Sequence, residues 1–199
     1  MTPAGSSTKL LFVTGNHHKV KEANDILSRF GITLEMADCE KVEIQSDSLS
    51  DIASYAASLA ANKIETPVVV EDSGLFINAL SGFPGPYSAF VFKTIGCEGV
   101  LKLMSGMANG SREACFRCSV SFCMPHSKPL AFEGVSEGAI ALYERGSGGF
   151  GFDPVFVPSR GNGRSFSELS VEEKGSLSHR GAAFIKFAEW YSKREKKLK

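Results

Sequence analysis

The chain has 199 residues, room for one large domain or two small ones, and its 43% hydrophobic content supplies a core. Its 22 basic and 22 acidic residues cancel, so no global field would hold nucleic acid or an anionic membrane. No apolar run approaches the ~20 residues of a membrane span.

The first eight residues, Met1 to Thr8, are small and polar, lack a signal-peptide core and read as a frayed lead-in. Lys9 to Val13 is a short apolar strand. The turn Thr14-Gly15-Asn16-His17-His18-Lys19 follows, then a helix to about Phe30 with Val20, Ala23, Ile26, Leu27 and Phe30 on one face, stopped by Gly31. The turn holds a hydroxyl, a flexible Gly and an Asn suited to an N-cap. Basic side chains at a helix start oppose its dipole, and a phosphate ligand would give them a reason to be there. Strand–Gly–helix turns also occur throughout α/β proteins, and this one is neither G-x-G-x-x-G nor Walker A.

Ile32 to Met36 is the next predicted strand, and 40–45 is a mixed polar segment. Ser48 starts a capped helix to about Ile64, with Ile52, Tyr55, Ala56, Leu59, Ala60 and Ile64 on its apolar face. Thr66-Pro67 ends it. Val68-Val69-Val70 is a buried strand of the parallel-sheet kind, with Glu71-Asp72 at its carboxyl end, where open α/β sheets bind ligands. The pair reads either as a Mg²⁺ site, because that ion takes one or two carboxylates plus substrate phosphates, or as an acidic strand end before a turn.

Gly82, Pro84, Gly85 and Pro86 fix a shaped loop, either a rigid connection or a wall of a site beside Asp72. Lys93 to Met107 predicts a short helix. Segment 115–124 alternates like a strand, which turns Cys115 and Cys118 to opposite faces. With five cysteines at irregular spacing, the C-x-x-C reads as buried thiols in a reducing, cytosolic compartment rather than a zinc or redox pair. Leu130 to Phe132 and Gly138 to Leu142 are two partner strands of a mostly antiparallel middle lobe.

Gly146 to Gly149 leads into Phe150-Gly151-Phe152-Asp153-Pro154. Phe150 and Phe152 either flank a flat base, with Asp153 or local amides on its edge, or form a core aromatic strand with a Gly bulge. Phe166 to Leu169 is a local turn. The last helix runs from about Ser178 to Arg194, with His179 and Arg180 in its first turn. Two basic helix starts point to one polyanionic ligand.

Several motifs thus occur in order: Thr14-Gly15-Asn16-x-x-Lys19, Glu71-Asp72-Ser73-Gly74-Leu75, Gly82-x-Pro84-Gly85-x-Tyr87-Ser88-Ala89, Phe150-Gly151-Phe152-Asp153-Pro154-x-Phe156 and Ser178-His179-Arg180. The ordered set resembles the inosine triphosphate pyrophosphatase family (the Ham1/RdgB-like non-canonical purine NTP pyrophosphatases) from about Leu10 to Ala188. The resemblance implies an α/β, two-lobed fold, with a long mixed β-sheet flanked by helices and a central cleft. Its α/β lobe would take about 9–85 plus 150–199, and its mainly β lobe about 86–149. It also implies a homodimer, Mg²⁺ or alternatively Mn²⁺, and hydrolysis of ITP, dITP and XTP to the monophosphate and pyrophosphate, with no nucleic-acid or membrane partner.

By position in those motifs, Thr14, Gly15, Asn16, His17, His18 and Lys19 resemble the triphosphate loop. Asp72 resembles the general base or metal ligand, Glu43 the second metal carboxylate, and Ser73 sits beside them. Phe150, Gly151, Phe152 and Asp153 resemble the base pocket, and Lys174, His179 and Arg180 the base and phosphate contacts. Glu71 is secondary. Where many members carry a Lys in the helix before the central strand, this chain has Ala56. Lys63 lies too far along the helix to be an obvious substitute, which leaves Lys41 as an unsupported candidate.

Overall fold

The computed structural model describes residues 8–107 and 111–198; the predicted lead-in up to Ser7 lies outside the described residues. In chain order the elements are β1 (Thr8–Val13), α1 (His17–Leu27), β2 (Ile32–Met36), α2 (Leu49–Ile64), β3 (Val68–Ile77) and β4 (Pro84–Gly85). They are followed by α3 (Ser88–Leu103), β5 (Glu113–Cys123), β6 (Leu130–Ile140), β7 (Phe156–Pro158), α4 (Val171–Leu177) and α5 (His179–Leu198). One mixed sheet runs β2-β1-β3-β5-β6-β7, with β4 on β3, so the architecture is the helix-flanked mixed α/β sheet that the family resemblance implies. β1 lies parallel to β2 and to β3; β3, β5 and β6 run antiparallel along their whole lengths.

The strand β3 divides the core by its period of two. Val69 faces α1 and α5, in a cluster with Phe12, Leu27, Phe184 and Phe187. Val68 and Val70 face α2, whose Ala53, Ala56, Ala57, Ala60 and Ala61 bring helix and sheet close together. A third cluster joins Leu75 and Ile77 to α3 and to Phe152, Phe156 and Phe166. The expected division at 85/86 and 149/150 crosses this sheet, because β5 pairs with β3 from Val68↔Cys123 to Ile77↔Ala114.

Several predicted boundaries are corrected. β3 does not stop before Glu71 but continues to Ile77, carried by its ladder with β5. Gly74 is therefore not a turn glycine: a Cβ there would lie 2.2 Å from the Gly85 carbonyl oxygen, so it is the bare backbone that lets β4 approach. The two strands expected at 130–132 and 138–142 are one, β6. Gly134 inside it is again a close-approach residue, since its Cβ would lie 2.1 Å from the His179 oxygen and 2.6 Å from the Ala183 nitrogen. That gap lets the first turn of α5 press on the sheet.

Helix α3 starts at Ser88, five residues before the expected Lys93, because the Ser88 hydroxyl accepts from the Leu75 N–H (2.8 Å) and donates to the Gly85 carbonyl (2.7 Å). Gly96, at φ 62° and ψ −165°, kinks it midway. Phe150 to Phe152 is a turn into a 3-10 helix (Asp153–Val155), not an aromatic strand. Helix α4, closed by a Ser170–Glu173 capping box, has no counterpart in the predicted elements.

Candidate functional site

The parallel ladder between β1 and β3 ends at Val13↔Val70. β1 turns away there, while β3 continues with Glu71 and Asp72, so both carboxylates stand where the sheet loses a strand on one side. The turn that replaces β1 is tied locally. Thr14 Oγ1 accepts from the Asn16 N–H (3.2 Å), and Asn16 Oδ1 accepts from the His18 N–H (2.9 Å), capping α1.

Glu71 points toward α1 and α5 and is only 1% exposed. Its Oε1 accepts from Arg180 Nη2 (2.9 Å) and from the Cys118 thiol (3.3 Å). Lys19 Nζ lies 2.7 Å from Oε2, an ion pair without hydrogen-bond geometry. Arg180 continues to Glu22 (2.7 Å) and Ser73 Oγ (3.1 Å). Lys174 is held between Glu22 and Asp153, at 2.6 Å from each, and Asp153 accepts from the Phe150 N–H (2.7 Å). An alternating chain of charge thus runs Lys19–Glu71–Arg180–Glu22–Lys174–Asp153 through the interior. Burial pushes the Glu71 carboxyl up, but Arg180 and Lys19 win and hold it well below the usual range. The same contest, with Arg180 and Lys174 as the cations, holds Glu22 low. At Asp153 burial wins and the carboxyl is raised.

Asp72 faces the other way, toward α2. Lys41 Nζ bonds its Oδ1 (3.0 Å), the Glu71 main-chain carbonyl (3.2 Å) and Glu43 (2.5 Å). Burial raises the Asp72 carboxyl, and the Lys41 charge offsets this only in part. The same two carboxylates raise Lys41, whose ammonium is secure. Glu43 and Asp72 therefore share one cation.

Two cavities flank the ring of Phe150. One, of about 530 Å³, opens over Glu22, Lys174 and the Gly148-Gly149 backbone. The other, of about 320 Å³, is bounded by Asn16, Lys19, Ser73, Phe152 and Arg180. His18 stacks on Phe150 (5.3 Å between centroids, 20° between planes), and this pair belongs to the walls of both. His179, 3% exposed, stacks flat on Phe116 at 4.6 Å, and its Nδ1 has no hydrogen-bond partner. Burial, reinforced by Arg180, holds its pKa well below 6.5.

Of the residues singled out from the sequence, Asn16, His18, Lys19, Ser73, Phe150, Gly151, Asp153, His179 and Arg180 converge on the smaller cavity, and Lys174 lines the larger. Thr14 and Gly15 shape the turn, and His17 is exposed. Phe152 reaches the smaller cavity but is mostly core, edge-on to Phe92. Asp72 and Glu43 line neither cavity. Sequence reasoning missed Glu22, which no signal separates from the other acidic residues of α1, and it ranked Glu71 behind Asp72. Lys41, named there without support, is the residue that touches Asp72.

The Ham1 family model matches residues 10–190, nearly the whole described chain. This chain belongs to the Ham1 family. It is 53% identical over 183 residues to the dITP/XTP pyrophosphatase of Methanopyrus kandleri, covering 92% of this chain and 96% of that protein. It is 51% identical to the protein of the same name from Methanothermobacter marburgensis, again covering 92% and 96%. Among solved structures it resembles a HAM1 protein from Coxiella burnetii, with TM-score 0.80, 27% identity, and coverage of 94% and 99%. It also resembles the nucleoside-triphosphatase / dITP/XTP pyrophosphatase of Mycobacterium abscessus, with TM-score 0.71, 31% identity, and coverage of 90% and 97%.

The buried neutral His179 has a measurable consequence. Below pH 6.5 the unfolded chain protonates this ring and the folded chain does not, so stability is lost as pH falls. The slope from this group is up to about 1.4 kcal/mol per pH unit. Urea unfolding between pH 6.5 and 5 should show a shallower slope for His179→Phe, which keeps a flat ring on Phe116. Equal slopes would mean that His179 titrates normally in the folded chain.

Proposed function

We propose that this chain is a Mg²⁺-dependent nucleoside triphosphate pyrophosphatase that cleaves XTP, dITP and ITP to the monophosphate and pyrophosphate. The observation that carries this reading is the buried Glu71, which draws Lys19 and Arg180 from two helix starts to the point where a parallel ladder ends. The names of the relatives, dITP/XTP pyrophosphatases, supply the substrate class.

A charge count favours a metal. Lys19, Lys41, Lys174 and Arg180 pair with Glu22, Glu43, Glu71, Asp72 and Asp153, four positive charges against five negative. A polyphosphate entering this balance must bring cations with it. Two carboxylates that already share an ammonium, joined by phosphate oxygens and water, are the donors Mg²⁺ takes. Among the described residues no group of three or more His, Cys, Asp or Glu could hold a metal alone, which suits an ion delivered with the phosphates. Glu43 and Asp72 would hold it. When bound, Mg²⁺ supplies charge neutralisation at the reacting phosphorus and acidifies a water.

The chain's own residues do the rest. Asp72, with its raised pKa, is suited to take a proton from the water whose oxygen bonds the α-phosphorus. The bond from that phosphorus to the bridging oxygen breaks, and the leaving pyrophosphate carries away its electron pair. Lys19, Arg180 and the Asn16-capped start of α1 hold the phosphates. Phe150, with His18 stacked on its ring, stands between the two cavities as the aromatic wall against which the base would lie. Lys174, 5.0 Å from the Phe150 ring centre, is a donor-only group that suits the 6-oxo acceptor of a deaminated purine and opposes the amino donor of adenine.

A homodimer and a cytosolic setting belong to the same reading. Phe83, Tyr87 and Phe90 are 40%, 45% and 68% exposed, an apolar strip that a second copy would cover. The five cysteines are free. Among the described residues no helix is long and apolar enough to cross a membrane.

Pyrophosphate release should be confined to XTP, dITP and ITP, should need Mg²⁺, and should fall at least about 10²-fold in Asp72→Asn. Turnover of ATP equal to that of XTP would sink the base-reading part; GTP is no test of it, because guanine carries the same 6-oxo acceptor. Binding of XTP without turnover would make the chain a nucleotide-binding protein instead. In solution the mass should be twice 21.4 kDa and should halve in Phe90→Glu. A native monomer would contradict the dimer.

A further inference from the structure

The smaller cavity contains a cation that neither motifs nor family resemblance singles out. Lys93 lines it from α3, together with Asn16, His18 and Lys19 of the α1 start. The other two cations there are committed: Lys19 to Glu71, and Arg180 to Glu71 and Glu22. Lys93 makes no ion pair among the described residues, and it is exposed.

Its placement follows from the helix. Ser88, Ala89, Phe92 and Lys93 all line the cavity, and their spacing of i, i+1, i+4, i+5 puts them on one face. Three contacts fix that face. Ser88 ties the helix start to Leu75 of β3 and Gly85 of β4. Phe92 meets Phe152 edge-on at 5.3 Å. The Cys97 thiol reaches the Gly151 carbonyl at 3.6 Å. Val91, 4% exposed, turns inward, and the kink at Gly96 lets this half of α3 take its own direction. Ala89 leaves space at the wall, and Lys93, one turn on, projects the charge.

We infer that Lys93 is a substrate-binding residue, a mobile ammonium that closes on the polyphosphate from the α3 wall of the cavity that Asn16, Lys19 and Arg180 also line. This rests on the pyrophosphatase reading for the identity of the anion. The cavity's committed cations must loosen from their carboxylates to meet phosphate oxygens, whereas Lys93 has no ion pair among the described residues to give up. It therefore contributes attraction without a compensating loss. A ligand bridging α1 and α3 would draw the two walls together.

The test uses the full chain and Lys93→Ala, Lys93→Arg and Lys93→Glu. Calorimetric titration with inorganic tripolyphosphate and Mg²⁺ reads binding apart from turnover, and steady-state assays with XTP give KM and kcat. Loss of one charged contact predicts about tenfold weaker tripolyphosphate binding and about tenfold higher KM for Lys93→Ala. Lys93→Glu should be weaker still, Lys93→Arg near native, and thermal stability unchanged throughout. The salt dependence of tripolyphosphate binding should flatten in Lys93→Ala. Tripolyphosphate affinity and salt dependence equal to the native chain's would overturn the inference, as would failure of the native chain to bind tripolyphosphate. Lysine-dependent tripolyphosphate binding without XTP turnover would sustain the role of Lys93 and instead refute the pyrophosphatase reading.

Discussion

A carboxylate at 1% exposure cannot remain ionised without partners, and the arrangement of this molecule follows from supplying them to Glu71. Arg180 comes from the first turn of α5 and Lys19 from the first turn of α1. Neither position favours a cation, since a helix start already carries positive charge. Both are tolerated because Glu71 and Glu22 stand in front of them. The sheet is shaped to allow it: Gly134 lacks the side chain that would keep α5 away from β6. Strand order, helix starts and a close-packing glycine thus serve one buried charge pair.

The neighbouring residue obeys the same geometry with the opposite outcome. Because successive strand residues face opposite ways, Asp72 cannot join the Glu71 network and is served from the other side by Lys41. The cations paired with Glu71 and the Asp72 carboxylate are thereby kept on separate faces of β3, a residue apart. The division also separates their protonation: at Glu71 the charges of Arg180 and Lys19 outweigh burial and hold the carboxyl down, whereas at Asp72 burial outweighs Lys41 and Lys19 and the carboxyl is raised.

Much of this was legible in the sequence. The first two strands, the α1 and α2 boundaries and the Asn16 and Ser48 caps came from local pattern, because those elements are held by local rules. Ordered motifs located most residues of the smaller cavity. What failed was read across space. Gly74 and Gly134 look like breaks until the backbone that approaches them is known. The extension of β3 needs its partner β5, and the start of α3 needs Leu75 and Gly85. Glu22 carries no local mark, since its importance lies in Lys174 and Arg180, some 150 residues away in the chain. Lys41 is likewise defined only by the carboxylates that fold against it.

Glu71 and Arg180 act as one unit at the centre of the buried charge network. A double-mutant cycle measures this most directly, with Glu71→Gln, Arg180→Met and the double variant followed by urea unfolding and by tripolyphosphate affinity. Each single change takes one partner from a buried charge, leaving Arg180 with Glu22 alone or Glu71 with Lys19 alone, and should cost up to about 3–5 kcal/mol of stability. The double variant should lose less than the two together, because the Glu71–Arg180 pair is then removed as a unit, Glu22 keeps Lys174, and only the half-buried Lys19 loses its partner. Stability losses that simply add would mean the two residues act independently, and the account would fail at its base.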